Sequence, residues 1–448
     1  MRKFVLVIVV LICLLGLAKP VLNISPLSLG ELAPIASGMG AKIACSHRYI
    51  TGLTPEQIAS DLASYSIAYE LLELQFDDTR RLSTASLFGS APQSARFREG
   101  IGCTLNIGDT SALDALSTPA ITPSTAPWPA GDSVNTVSAN TQAVLDRLLL
   151  RDEVEGYDSR ALLVVLDGEV IAESYGEGFH AGTRHLGWSM GKSVTAMLLG
   201  SLEYRNLVSP EETGLFATWS DDMRSEISKE NLLQMSSGLA FNEDYVPGSD
   251  ATRMLFNAHS AAAVALDKPL KHQPGRHFSY SSGTTNLLSA LLVERLGGAQ
   301  GAIDFLYRDF LAPLGMTRTV LEPDPSGVFV GSSYIYASAR DWGRLGQLML
   351  EGGELNGVRL LPTDWVERAS RPSVALNDPR YGYQFWLNRG GDELRWHGLP
   401  EDAYAMMGNR GQVVMIIPSA RTVIVRLGWT AGDYPVSERF SALLTALP

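Results

Sequence analysis

The sequence of 448 residues is poor in cysteine, with three, and in histidine, with seven. The histidines are scattered, without the close His/Cys/Asp/Glu spacing that holds a metal, so no metal and no cofactor is expected. No run of like charge and no internal repeat is present, which excludes charged tails and solenoid architectures. Positive charge is in deficit. Lys and Arg number 36 against 48 Asp and Glu, and the net charge of −12 argues against nucleic acid or an anionic membrane surface as the main partner. Apolar residues, by contrast, make up 45% of the chain, enough for a large core in two or three units.

Arg2 and Lys3 precede an unbroken apolar run from Phe4 to Ala18. Such a run is short for a spanning helix and suits a signal-peptide core. Gly16-Leu17-Ala18 offers a small-x-small cleavage site, Lys19-Pro20 follows at once, and Val21, Leu22 and Ile24 can extend an uncleaved anchor. Residues 1–18 are therefore expected to be a signal peptide or an N-terminal anchor, with 4–18 as a membrane tether. The body is expected to be periplasmic or extracytoplasmic, secreted or held at the inner membrane. In an oxidising compartment Cys45 and Cys103 are expected to form a disulfide.

Residues 19–125 read as an N-terminal region and linker. Thr54-Pro55-Glu56-Gln57 starts a helix running to about Tyr69, and a Ser/Thr/Pro/Ala-rich arm spans Thr110 to Asp132. Residues 126–448 read as the main domain. Its start carries a helix over Thr141–Arg151 and a hairpin of Ala161–Leu166 and Glu169–Ser174 around Asp167-Gly168. Helices and loops follow, among them Asn231–Met235, Asn286–Leu296, Ala302–Leu311 and Ala339–Leu350. Strands return at Ala403–Met407, Gln412–Ile417 and Thr422–Leu427, and a helix over Val436–Leu447 closes the chain. Strands at both ends imply an α+β fold: one antiparallel sheet built from both ends of the domain, flanked by helices, with a helical insert.

The richest stretch for chemistry is Gly187-Trp188-Ser189-Met190-Gly191-Lys192-Ser193, a tight turn entering an amphipathic helix with Val194, Met197, Leu198 and Leu202 on one face. Ser189 falls at the helix start, where its oxygen can cap backbone N–H groups, and Lys192 projects from the same face one turn on. A serine with a lysine so placed has the makings of a nucleophile and its base. Gly187 and Gly191 also fit the G-x-S-x-G elbow, but that fold alternates strand and helix and needs an acid and then a histidine after the serine; His397 could serve as the histidine, but no acid before it is marked out by a motif, and it reads as a rim or structural residue. Three residues between the glycines are one too few for a phosphate-binding P-loop. Downstream, Tyr280-Ser281-Ser282 has the Tyr-x-Ser form, in which a phenol relays a proton if the lysine's charge lowers its pKa.

With Leu232–Leu239, Phe278–Gly283, Tyr336–Trp342 and Gly408-Asn409-Arg410-Gly411-Gln412 in the same order, residues 126–448 resemble the serine β-lactamase-like superfamily. The resemblance lies with its class C β-lactamase and esterase branch and, within that, the 6-aminohexanoate-dimer hydrolase group. It implies a β-lactamase/transpeptidase-like fold, Ser189 as the acylated nucleophile, Lys192 as base, and Tyr280 exchanging protons with the leaving group. It implies Ser282 as a substrate-side residue, with Asn409, Arg410 and Gly411 where the superfamily has Lys-Thr-Gly or His-x-Gly on a strand edge. Asn409 removes the usual cation, and Arg410 can supply one. The backbone N–H groups of Ser189 and Gln412 would form the oxyanion hole. The substrate implied is a small ester or linear amide; a β-lactamase or cell-wall D,D-peptidase, and a catalytically silent binding protein on the same fold, are the rival readings.

Overall fold

The computed structural model describes residues 29–134, 137–375 and 377–448. The expected signal peptide or anchor at 1–18, with its tether 4–18, lies outside the described residues. Among those described, no helix is long and apolar enough to cross a membrane.

The central sheet has six antiparallel strands. In chain order the strands used below are β1 (Leu72–Asp77), β2 (Leu82–Leu87), β3 (Ser90–Arg98), β4 (Gly102–Leu105), β5 (Ser159–Leu166), β6 (Glu169–Tyr175), β7 (His185–Leu186), β8 (Thr319–Leu321), β9 (Ile335–Ala337), β10 (Trp386–Leu387), β11 (Tyr404–Gly408), β12 (Gln412–Ile417) and β13 (Thr422–Gly428). The central sheet runs β10-β11-β12-β13-β5-β6, so strands from the two ends of the domain meet at the β13–β5 pair, Thr422 opposite Leu166. This is the α+β sheet read from the sequence. β5 and β6 turn at Asp167-Gly168, with Asp167 at φ 48° and Gly168 at φ 82°, the left-handed pair that this hairpin dipeptide favours.

Both faces of the sheet are buried. Alternate residues of one strand go to opposite sides. Leu162 and Val164 join an apolar cluster with α3 (Ala139–Val154) and α7 (Val436–Thr445), through Leu145, Phe440 and Leu443. Leu163 and Val165 join the main cluster with α6 (Ala339–Leu350), through Leu345 and Leu348. Each such aliphatic side chain contributes roughly 1.5–3 kcal/mol by leaving water. Against the main cluster lies α4 (Met190–Tyr204). Every residue from Met190 to Leu202 is buried, so the helix expected to show one apolar face is in fact enclosed on all sides. Small residues let it in: a Cβ at Gly191 would sit 2.6 Å from the carbonyl oxygen of Gly331.

The N-terminal region holds more than the helix expected of it. α1 (Leu29–Ser46) packs on a four-stranded antiparallel sheet of order β1-β2-β3-β4. α2 (Pro55–Ala63) begins at a capping box, with Gln57 N–H donating to Thr54 Oγ1 at 3.3 Å and Thr54 N–H to Gln57 Oε1 at 3.0 Å. It ends well before Tyr69, and a short 3₁₀ turn over Ile67–Leu71 leads into β1. Cys45 and Cys103 are joined by a disulfide spanning 58 residues, which ties α1 to β4. A loop of that length is worth about 4 kcal/mol in the chain-entropy picture.

This region is sewn into the rest. The Lys42 ammonium and the Glu322 carboxylate form a fully buried pair, and Glu322 also accepts from Ser46 Oγ at 2.8 Å and from the Cys103 N–H at 2.6 Å. Asp61 receives Arg160 through two bonds of 2.9 and 2.5 Å, and its carbonyl accepts from Trp429 Nε1 at 2.9 Å. Ile43, Ile58 and Leu62 belong to the same apolar cluster as Trp188 and Trp429.

Candidate active site

The turn before α4 is held from outside. Gly187 N–H donates to the Ile335 carbonyl of β9 at 2.8 Å, and Trp188 sits at φ 47°, a left-handed geometry that turns the chain sharply into the helix. Ser189 follows at the N-cap position, yet its hydroxyl caps nothing. That expectation fails because Ser189 already has helical φ and ψ (−65°, −7°), whereas a capping serine is extended. The hydroxyl instead receives a bond from Lys192 Nζ at 3.0 Å. The backbone N–H of Ser189 donates to no group among the described residues.

Lys192 is 1% exposed. Its Nζ also reaches Ser282 Oγ at 2.9 Å and the Ser332 carbonyl oxygen at 3.1 Å, and lies 4.8 Å from the Tyr280 ring centroid. Burial pulls its pKa down to about 8, against the Glu243 carboxylate, which favours the charged form. At neutral to mildly alkaline pH a useful fraction of the amine is therefore free to accept a proton.

Tyr280 lies in the loop ahead of α5 (Ser282–Arg295), stacked on Trp386 at 5.3 Å between ring centroids and edge-on to Tyr381. The relay read from the sequence requires that the lysine's charge depress this phenol. The phenol is not depressed. Desolvation raises its pKa well above the ordinary value, and the Ser189 hydroxyl only partly offsets this. A phenol so placed stays protonated and can act as a proton donor. Ser282, the first residue of α5, gives its backbone N–H to Glu243 Oε2 at 2.7 Å and its hydroxyl to Glu243 Oε1 at 2.5 Å.

Glu243 and Tyr245 are the site members that the sequence reading missed. Tyr245 is 55% exposed overall, yet its hydroxyl donates to Glu243 Oε1 at 3.0 Å and lies 3.3 Å from Ser282 Oγ. Glu243 and Tyr280 also line a cavity of about 390 Å³ with Asp244, Lys271, His272 and His277. No group of three or more His, Cys, Asp or Glu capable of holding a metal occurs among the described residues.

The third motif falls elsewhere than expected. Asn409-Arg410-Gly411 forms the short turn between β11 and β12, not a strand edge. Arg410, at φ 63°, is 6% exposed; its guanidinium lies 3.5 Å from the Tyr65 ring centroid and reaches the Thr430 carbonyl at 3.4 Å. Stacked there, it supplies no cation to Ser189. Asn409 Oδ1 accepts from the Arg410 N–H at 2.9 Å, and Gly411, at φ 75°, backs onto Arg426. Gln412 opens β12, which lies between β11 and β13, and its side chain bonds the backbone of Gly428. The described hydrogen bonds, ion pairs and ring contacts join none of these four residues to Ser189, Lys192 or Tyr280. The strand end beside the turn that carries Ser189 is that of β11: a Cβ at Gly408 would lie 2.1 Å from the Gly187 carbonyl oxygen. β10 pairs only with Tyr404 and Ala405, so the outer edge of Met406–Gly408 is unpaired at that point.

Comparisons with known proteins give the family and the fold. A 6-aminohexanoate-dimer hydrolase of Paenarthrobacter ureafaciens is 28% identical over 304 residues, spanning 63% of this chain and 76% of that one. Among solved structures, a penicillin-binding protein homologue from Caulobacter crescentus aligns with a TM-score of 0.55 at 17% identity, over 70% of this chain and 98% of that one. A family VIII carboxylesterase aligns with a TM-score of 0.55 at 12% identity, again over 70% and 98%. At such identities these two show the fold. The family model described as Beta-lactamase matches residues 149–445, the greater part of the sequence, and so the chain belongs to the beta-lactamase family and is a serine hydrolase.

Proposed function

We propose that this enzyme cleaves small esters and linear amides through an acyl-enzyme on Ser189. The observation that carries the reading is the buried Lys192 amine, 3.0 Å from Ser189 Oγ and with its pKa drawn down to about 8. Neutral Lys192 takes the hydroxyl proton as Ser189 Oγ attacks the substrate carbonyl carbon. The resulting oxyanion accepts the free backbone N–H of Ser189 and a donor from the unpaired edge of β11, in place of Gln412. Collapse breaks the bond to the leaving group, which takes the Tyr280 phenolic proton; Lys192 then returns its proton to Tyr280. A phenol of raised pKa still protonates a departing alkoxide or amide nitrogen, both of which are more basic. Water, activated by the same amine, attacks the acyl carbonyl and releases Ser189.

Two features favour esters and linear amides over β-lactams. The β11 edge beside the nucleophile reads Met406-Met407-Gly408 and offers no cation to an antibiotic's carboxylate. The curated relative, 28% identical, is a 6-aminohexanoate-dimer hydrolase. The disulfide and the apolar run at 4–18 support a location outside the reducing cytoplasm.

A fluorophosphonate probe should label one serine, on the peptide containing Ser189, and Ser189→Ala should abolish labelling. On a panel of p-nitrophenyl esters, linear amides and nitrocefin, the esters should give the highest kcat/KM, because their leaving groups need least protonation. If nitrocefin outperforms every ester, the substrate assignment is wrong and the enzyme is a β-lactamase.

A further inference from the structure

We propose that Glu243 is a positioning residue that decides which proton Lys192 can give up, by holding the Ser282 hydroxyl turned away from the amine. The inference rests on Ser189 and Lys192 being nucleophile and base. It follows from a count of donors. Lys192 Nζ has three partners: Ser189 Oγ at 3.0 Å, Ser282 Oγ at 2.9 Å and the Ser332 carbonyl at 3.1 Å. A carbonyl only accepts. Ser282 has one hydroxyl proton, and Glu243 Oε1 takes it at 2.5 Å while Oε2 takes the Ser282 N–H at 2.7 Å. Toward the amine, Ser282 therefore also only accepts. A neutral amine then uses its two N–H bonds on Ser282 and Ser332, and its lone pair is left facing Ser189, the one partner with a proton to give.

Without the carboxylate, Ser282 can rotate its proton onto Lys192. The lone pair is then occupied, the amine donates to Ser189, and no base remains. Tyr245 adds its own proton to Glu243 Oε1 at 3.0 Å, reinforcing that oxygen as an acceptor. The charged and titratable groups around the pair are Tyr280, whose ring lies 4.8 Å from Nζ, and, along the adjoining cavity, Asp244, Lys271, His272 and His277.

Glu243→Gln keeps the shape but cannot accept at both ends. If its oxygen meets the Ser282 N–H, its NH₂ donates to the hydroxyl and turns the Ser282 proton toward Lys192. The test is the second-order rate of fluorophosphonate labelling of Ser189, from about pH 5 to 10, in wild type, Glu243→Gln, Ser282→Ala and the double variant, with thermal unfolding checked for each. Glu243→Gln should slow labelling by about 10–100-fold. Its acid limb should also move to lower pH, because the carboxylate favours the ammonium form of Lys192. In the Ser282→Ala background the same change should cost less than about 3-fold, since no hydroxyl is left to turn. Wild-type labelling in Glu243→Gln, a slower rate with an unmoved acid limb, or an equal cost in both backgrounds would each overturn the proposal while leaving Ser189 as nucleophile. Wild-type label on a serine other than Ser189 would overturn the catalytic reading along with it.

Discussion

Lys192→Arg is expected to lower kcat for p-nitrophenyl esters by about 10³–10⁴-fold while the fold survives. Arginine keeps a cation within reach of Ser189 but cannot deprotonate in a protein, so it offers donors where the reaction needs a lone pair. The same logic sets the pH dependence. In the proposed mechanism the working form of Lys192 is neutral, and burial places its pKa at about 8. In wild type kcat/KM should therefore climb with rising pH and reach half its plateau near that value. Below it the ammonium predominates and activity falls tenfold per pH unit. Tyr280→Phe should also be slow. Combining it with Lys192→Arg should cost little beyond the worse single change, because both act in one proton circuit. Turnover by Lys192→Arg within a few-fold of wild type would refute a lysine base.

The second large effect concerns stability. Lys42→Met should destabilise the protein by roughly 3–5 kcal/mol, the usual result of removing one partner of a buried pair. Glu322 has no route to solvent, and burial pushes its carboxyl toward the protonated form even with the lysine present. Deprived of the lysine, it keeps only Ser46 Oγ and the Cys103 N–H. Glu322→Gln in the Lys42→Met background should recover much of the loss, since a neutral amide costs far less to bury than a lone carboxylate. Denaturation midpoints of the two single variants and the double variant measure this directly. A double variant no more stable than Lys42→Met would show that the cost lies in packing, not charge.

How much of this was legible depended on whether the signal was local. The Asp167-Gly168 hairpin, the strand Gln412–Ile417 and the helix Ala339–Leu350 each carry their own turn or periodicity, and they stand where the sequence places them. Ser189 and Lys192 meet because helical geometry alone puts positions three apart on one face. β1 had a readable alternation in Leu72-Glu73-Leu74-Gln75-Phe76, but β2 and β3 are built largely from Ser, Ala, Thr and Gln, which carry little strand signature. The Ser332 carbonyl lies 140 residues from Lys192 and is a backbone atom, so no residue type could mark it. Glu243 sits in a polar loop where an acid is unremarkable until Ser282 is placed against it. The third motif was misplaced for a similar reason. Asn-Arg-Gly has the look of a functional turn, whereas the strand edge that meets the Ser189 turn is the bland Met406-Met407-Gly408.

The pairing of β5 with β13 bears on how the chain folds during synthesis. Leu166 waits for Thr422, Asp61 is reached by Trp429 368 residues later, and Lys42 waits 280 residues for Glu322. Nearly the whole polypeptide must be made before the central sheet can close. Until then β5 presents an open edge and α4 an uncovered apolar surface, the two features through which nascent chains aggregate. Contacts of such long sequence separation also slow folding, because the entropy of closing each loop is lost before any packing is gained. The last pairings of the central sheet are therefore expected to close only after the β13 segment has been made, and a long-lived open β5 edge is the expected point of misassembly during refolding.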